Sequence, residues 1–192
     1  MNRLALSLLI LIAPSLYAQD SKHQIGLMYQ YFQNDINNVT ATPDTLAVEY
    51  SRVLTPKIAA VGSIAIPLSD GEAYETYTFP GTTTEDEYIV SVKSEIQLGL
   101  QMHLFEQSEV NFDPYLSLGF SKIETEYEVN TTVNGSLNET LSGTGSSSGF
   151  VYGIGFNYHF SGKWGVKAEY IDVAHDDDTN ATKYSFGIQR KI

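Results

Sequence analysis

With no cysteine in the chain, any chemistry must come from carboxylates, lysines, hydroxyls and four histidines. Glu49, Lys93, Glu95, Lys167 and Glu169 fall on the polar positions of alternating segments. Opposite charges in that setting either pair with one another or line a path for protons or ions. His159-Phe160-Ser161, with Glu169 downstream, supplies the residue types of a serine nucleophile, its base and an orienting carboxylate. Asp176, Asp177 and Asp178 could offer oxygen ligands to Ca²⁺ or Mg²⁺, but a run of like charge is first of all a solvated loop. No segment calls for an organic cofactor, and none is expected.

The elements that carry these residues decide among the readings. From His23 onward the chain alternates with period two, the signature of strands with one apolar face. Between Tyr88 and Leu104 the even positions run Tyr88, Val90, Val92, Ser94, Ile96, Leu98, Leu100, Met102, Leu104, while the odd positions include Ser91, Lys93, Glu95, Gln97 and Gln101. Phe150 to Phe160 repeats the pattern. The same test predicts eight strands near 23–33, 44–54, 57–67, 88–104, 112–124, 148–160, 164–173 and 182–192. Their connections alternate between tight turns and longer loops near 34–43, 68–87, 125–147 and 174–181, with Pro67, Pro80 and Gly143 to Gly149 as loop punctuation. That rhythm predicts an all-β fold, an eight-stranded antiparallel up-and-down transmembrane β-barrel.

Composition bounds the function. The 23 acidic residues against 11 basic ones give a formal charge of −12, which repels phosphate backbones and argues against nucleic-acid binding. Most of the acids lie in the long loops, and Lys22, Arg52, Lys57, Lys163, Arg190 and Lys191 gather at the opposite end. Arg3 followed by the apolar run Leu4 to Leu16 is too short for a membrane helix, and Leu16-Tyr17-Ala18 precedes a polar stretch. Residues 1–18 are therefore expected to be a removable export signal, with 19–192 forming the barrel.

Alternation alone does not say which face meets lipid. The polar parity is rich in Gly26, Ser91, Gly99, Ser117, Gly119, Gly153, Gly155 and Gly187, small residues suited to a crowded lumen. The apolar parity puts Tyr50, Trp164, Tyr170, Tyr184, Phe186, Tyr29 and Tyr31 toward strand ends and aliphatics between them, as two membrane interfaces require. An eight-stranded interior is filled by its own side chains, so Glu49, Lys93, Glu95, Lys167 and Glu169 are expected to pair inside it as a plug, without a solute channel. Ser161 falls in a turn and His159 points inward by parity, which opposes catalysis.

The run PYLSLGF at Pro114 to Phe120 and the stretch GFNYHFSGKWGVKAEYIDV at Gly155 to Val173 resemble the small eight-stranded outer-membrane β-barrels of Gram-negative bacteria, the OmpA transmembrane-domain and OmpX/Ail-like group. The last strand, ending YSFGIQRKI, resembles the segment that such proteins present to the barrel-assembly machinery. Ile192 stands where the family usually has Phe, and Arg190 falls on the apolar parity. The resemblance implies a monomer among outer-membrane lipid and lipopolysaccharide, with a non-enzymatic role in envelope integrity or surface contacts. A lipid-modifying enzyme and a soluble periplasmic ligand-binding barrel are the alternatives.

Overall fold

Alternating β-branched and aromatic residues suit a pleated surface that is covered on both sides, here by lumen and by lipid. A computed structural model describes residues 22–36, 39–106, 111–161, 163–175 and 180–192. Its elements are all strands: β1 (His23–Ile36), β2 (Val39–Ala41), β3 (Asp44–Thr55), β4 (Ile58–Ser69), β5 (Gly71–Phe79), β6 (Thr82–His103), β7 (Phe112–Val133), β8 (Ser136–His159), β9 (Trp164–His175) and β10 (Asn180–Lys191). Neighbours pair antiparallel in the order β1, β3, β4, β6, β7, β8, β9, β10. Strand β10 then pairs with β1 from Gln24↔Lys191 to Asp35↔Asn180. The ring of eight has no free edge at barrel level, which a sheet in hydrocarbon requires because unpaired backbone groups find no water there. Short β2 and β5 attach to β1 and β6 on the loop rim.

Two of the expected loops are strands. The segments 68–87 and 125–147 form the β5–β6 hairpin and the extensions of β7 and β8, so that Pro67 and Gly143 to Gly149 lie inside strands. The β5–β6 hairpin closes on Pro80-Gly81, where proline fixes a negative φ and Gly81 takes a positive one (85°), and the β7–β8 hairpin closes on Asn134-Gly135, both at positive φ (50° and 77°). Pro67 is tolerated because β4 pairs with β6 only as far as Ala65↔Glu95. Gly143 faces Tyr127 across β7 and β8, where a Cβ would stand 2.6 Å from the tyrosine ring.

Side-chain orientation identifies the lipid face. Leu98 is 64% exposed, whereas Glu95 on the same strand is 1% exposed. Leu100, Ile154, Phe156, Val166, Phe186 and Ile188 also point outward, and Lys167, Lys183, Glu49 and Glu169 are buried inside. In water this would be an inverted protein; in a bilayer these apolar residues meet hydrocarbon and these four charges meet protein. Tyr50, Phe112, Tyr158, Phe160 and Trp164 ring the outer wall at the turn end, and Tyr31, Tyr170, Tyr184, Phe120 and Phe150 lie toward the loop end.

Candidate functional site

The lumen holds its charges in two cross-braces. Lys167 on β9 reaches across to Glu49 on β3, its Nζ donating to both carboxylate oxygens at 2.6 and 2.7 Å. Glu169 Oε2 lies 3.7 Å from the same ammonium, and the Tyr115 ring lies under it at 5.3 Å. Lys183 on β10 spans to β6, donating to Glu95 Oε1 at 2.8 Å and to Gln97 Oε1 at 2.5 Å; Ser121 Oγ also donates to Glu95 Oε1, at 3.0 Å. Neither lysine pairs with a strand adjacent to its own. Each therefore fixes the separation of distant walls, and buried charge is tolerable only with such partners.

Of the residues expected here, Glu49, Glu95, Lys167 and Glu169 are in the lumen and Lys93 is not. Lys93 is exposed and pairs with Glu126 at 2.8 Å on the outer face. The cause is a bulge: Val92 pairs with Thr125 and Ser94 with Glu124, so Lys93 is an extra residue that reverses the facing of everything beyond it. Above the bulge the even residues Val90 and Val92 point inward; below it the odd residues do. Lys183 takes the place expected for Lys93, and parity carried that information, since Tyr184, Phe186 and Ile188 face out. Both partners of the Lys93–Glu126 pair are about half exposed (48% and 51%), so Lys93→Ala should change unfolding free energy by about 1 kcal/mol or less, read by urea titration in vesicles.

Toward the loop end, Phe32 of β1 packs across the lumen on Val92 and Ile123, and Lys183 Nζ sits 5.5 Å from its ring. Met28, Ala47 and Ala65 form one adjoining apolar cluster, and Val151, Ile171, Val173 and Ala181 another. Toward the turn end, His103 Nδ1 stands 2.7 Å from Asp113 Oδ2, both buried. Charges in the middle are thus closed off by an apolar layer on one side and a polar layer on the other.

The catalytic set does not assemble. His159 is buried in the lumen and its Nδ1 has no hydrogen-bond partner among the described residues. Ser161 Oγ caps the turn instead, accepting from Trp164 N–H at 3.0 Å. Among the described residues no group of three or more His, Asp or Glu side chains could hold a metal ion. Asp176, Asp177 and Asp178 lie outside the described residues, as do residues 1–18.

The sequence matches the outer membrane protein beta-barrel domain over residues 4–191. The chain belongs to that family. Similar solved structures of outer-membrane barrels include Neisserial surface protein A (12% identity, TM-score 0.57, covering 89% of this chain and 97% of that one). Ail, the attachment invasion locus protein of Yersinia pestis, in complex with the heparin analogue sucrose octasulfate, is 13% identical with a TM-score of 0.54, covering 88% and 96%. OprG from Pseudomonas aeruginosa is 12% identical with a TM-score of 0.52, covering 89% and 96%. At such identities the likeness concerns the fold. Among curated proteins, none matches by sequence. As a member of the outer-membrane barrel family, the protein resides in the outer membrane, and the soluble alternative falls away.

Proposed function

We propose that this outer-membrane barrel is a non-enzymatic, monomeric surface protein that acts through the sheet it projects beyond the membrane, while its lumen serves as a structural plug. The observation that carries the reading is strand length. Strands β6, β7 and β8 run to 22, 22 and 24 residues, about twice the 9–11 tilted residues needed to cross. Their surplus, with β5, forms a four-stranded sheet standing off the rim. Its outer face carries Glu72, Glu85, Glu87, Glu124, Glu126 and Glu128 against Lys93 and Lys122. Glu87 and then Glu72 accept hydrogen bonds from the Tyr74 hydroxyl, at 2.9 and 3.2 Å, and push its pKa up to about 12. The basic turn end faces the periplasm, after removal of residues 1–18 and insertion by the barrel-assembly machinery.

An acidic sheet repels polyanions and steers cations toward it. The purified protein should leave sucrose octasulfate unbound and bind a polylysine peptide with an affinity that falls as salt rises. Reversing two charges, Glu87→Lys with Glu128→Lys, should abolish the peptide binding; binding of the sulfated sugar by the unaltered protein would overturn the reading. The lipid-modifying alternative lacks the contact between nucleophile and base. Lipid A from cells making Ser161→Ala should match that from cells making the unaltered chain by mass spectrometry.

A further inference from the structure

The lipid-facing wall is indented between β7 and β1 by a groove of about 710 Å³. Its floor is Ala168 on β9, held in register between Phe156 on β8 and Phe186 on β10. Tyr170 and Tyr184, in edge contact at 5.3 Å, close it toward the loop end. Below the notch, β9 and β10 pair Val166 with Ile188 and then Trp164 with Arg190. Arg190 thus occupies the apolar, outward parity of the last strand, the position that made it anomalous in the sequence. It is exposed, with its guanidinium carbon 5.3 Å from the centre of the Trp164 ring.

A guanidinium on the lipid side is costly in hydrocarbon and favourable at the interface, where it can bind a phosphate through two parallel hydrogen bonds. The aromatic girdle places it at that interface. The adjoining turn is held in shape, since Trp164 N–H donates to Ser161 Oγ at 3.0 Å and Lys191 N–H to the Lys163 carbonyl at 2.8 Å. From Arg190 to the notch beside Phe186 is four residues of strand, about 13 Å, well within one acyl chain. Charge selects the leaflet. Arg52, Lys57, Lys163 and Arg190 lie at the turn end, whereas lipid phosphates at the loop end would meet the acidic sheet.

We propose that β9 and β10 form a binding site for one phospholipid of the turn-end leaflet, its phosphate held by Arg190 against Trp164 and one acyl chain laid past Val166 into the notch over Ala168. The site goes beyond the surface role proposed above and does not depend on the acidic sheet.

Native mass spectrometry of the purified full chain, released from detergent with added phosphatidylglycerol, tests it. The unaltered protein should retain one phospholipid. Arg190→Gln and Ala168→Trp should each lower the retained fraction roughly tenfold, the effect of losing one charge-assisted contact or one packed chain. Leu98→Trp, which faces lipid on β6 outside the groove, should leave it unchanged. Diacylglycerol with the same chains should bind weakly and ignore Arg190→Gln. Folded migration of unheated samples in detergent gels is required of every variant, and Ala168→Leu replaces Ala168→Trp if the larger residue does not meet it. Equal retention across the unaltered chain, Arg190→Gln and the Ala168 variant would overturn the proposal. So would retention of lipid A in preference to phosphatidylglycerol.

Discussion

Replacing Lys167 with Met should destabilise the folded barrel by about 3–5 kcal/mol, because removing one partner leaves buried charge uncompensated. Two carboxylates depend on that ammonium: Glu49 at 2.6 Å and Glu169 at 3.7 Å. All three side chains are buried, so neither carboxylate can recover its hydration without opening the barrel. Urea unfolding in lipid vesicles, followed by the folded-to-unfolded shift in gel migration, measures the loss. The triple replacement Glu49→Gln, Lys167→Met, Glu169→Gln should recover most of it, since neutral groups have little hydration left to regain. Lys93→Ala removes the same ammonium type with almost no effect, and the contrast between the two lysines separates burial from charge.

Phe32→Ala is the second large effect, at about 3–5 kcal/mol by the same titration. The ring is fully buried and bridges β1 to Val92 and Ile123 across the lumen, so its loss leaves a cavity between walls that hydrogen bonding holds in place. Conservative Phe32→Leu should cost much less, because it keeps most of the volume. A loss for Phe32→Ala as small as that of an exposed residue would show that the loop-end layer is not packed as described.

The eight strands of the ring, its closure, the facing of most strands and most of the lumen charges were legible in the sequence, because a period of two ties each residue to one face and the faces differ in chemistry. Ile96 to Leu104 and Phe150 to Phe160 read correctly on that basis alone. Lys93 did not, and the reason is physical. The even positions of β6 stay apolar on both sides of the bulge, from Val90 and Val92 inward to Ile96 and Leu98 outward, so periodicity ran unbroken through a reversal of facing. Ser94, the one polar residue on that parity, was the available sign. The projecting sheet was missed for a related reason. Thr, Ser, Gly and acidic residues resemble a loop when neither face is apolar, yet Asn134-Gly135 between two alternating runs is a strong hairpin signal. Phe32 as a lumen cap depends on contacts across the ring from β1 to β6 and β7, which no local pattern contains.

The central claim is that the alternate apolar residues touch lipid chains and the charges lie within the wall. Because the chain has no cysteine, single replacements at consecutive positions of β6 can be spin-labelled without background. In bilayers, labels at Ile96→Cys, Leu98→Cys and Leu100→Cys should be accessible to oxygen and shielded from a water-soluble nickel reagent, and those at Gln97→Cys and Gln101→Cys should be shielded from oxygen. Nickel accessibility at 98 and 100, with oxygen accessibility moved to 97 and 101, would contradict it.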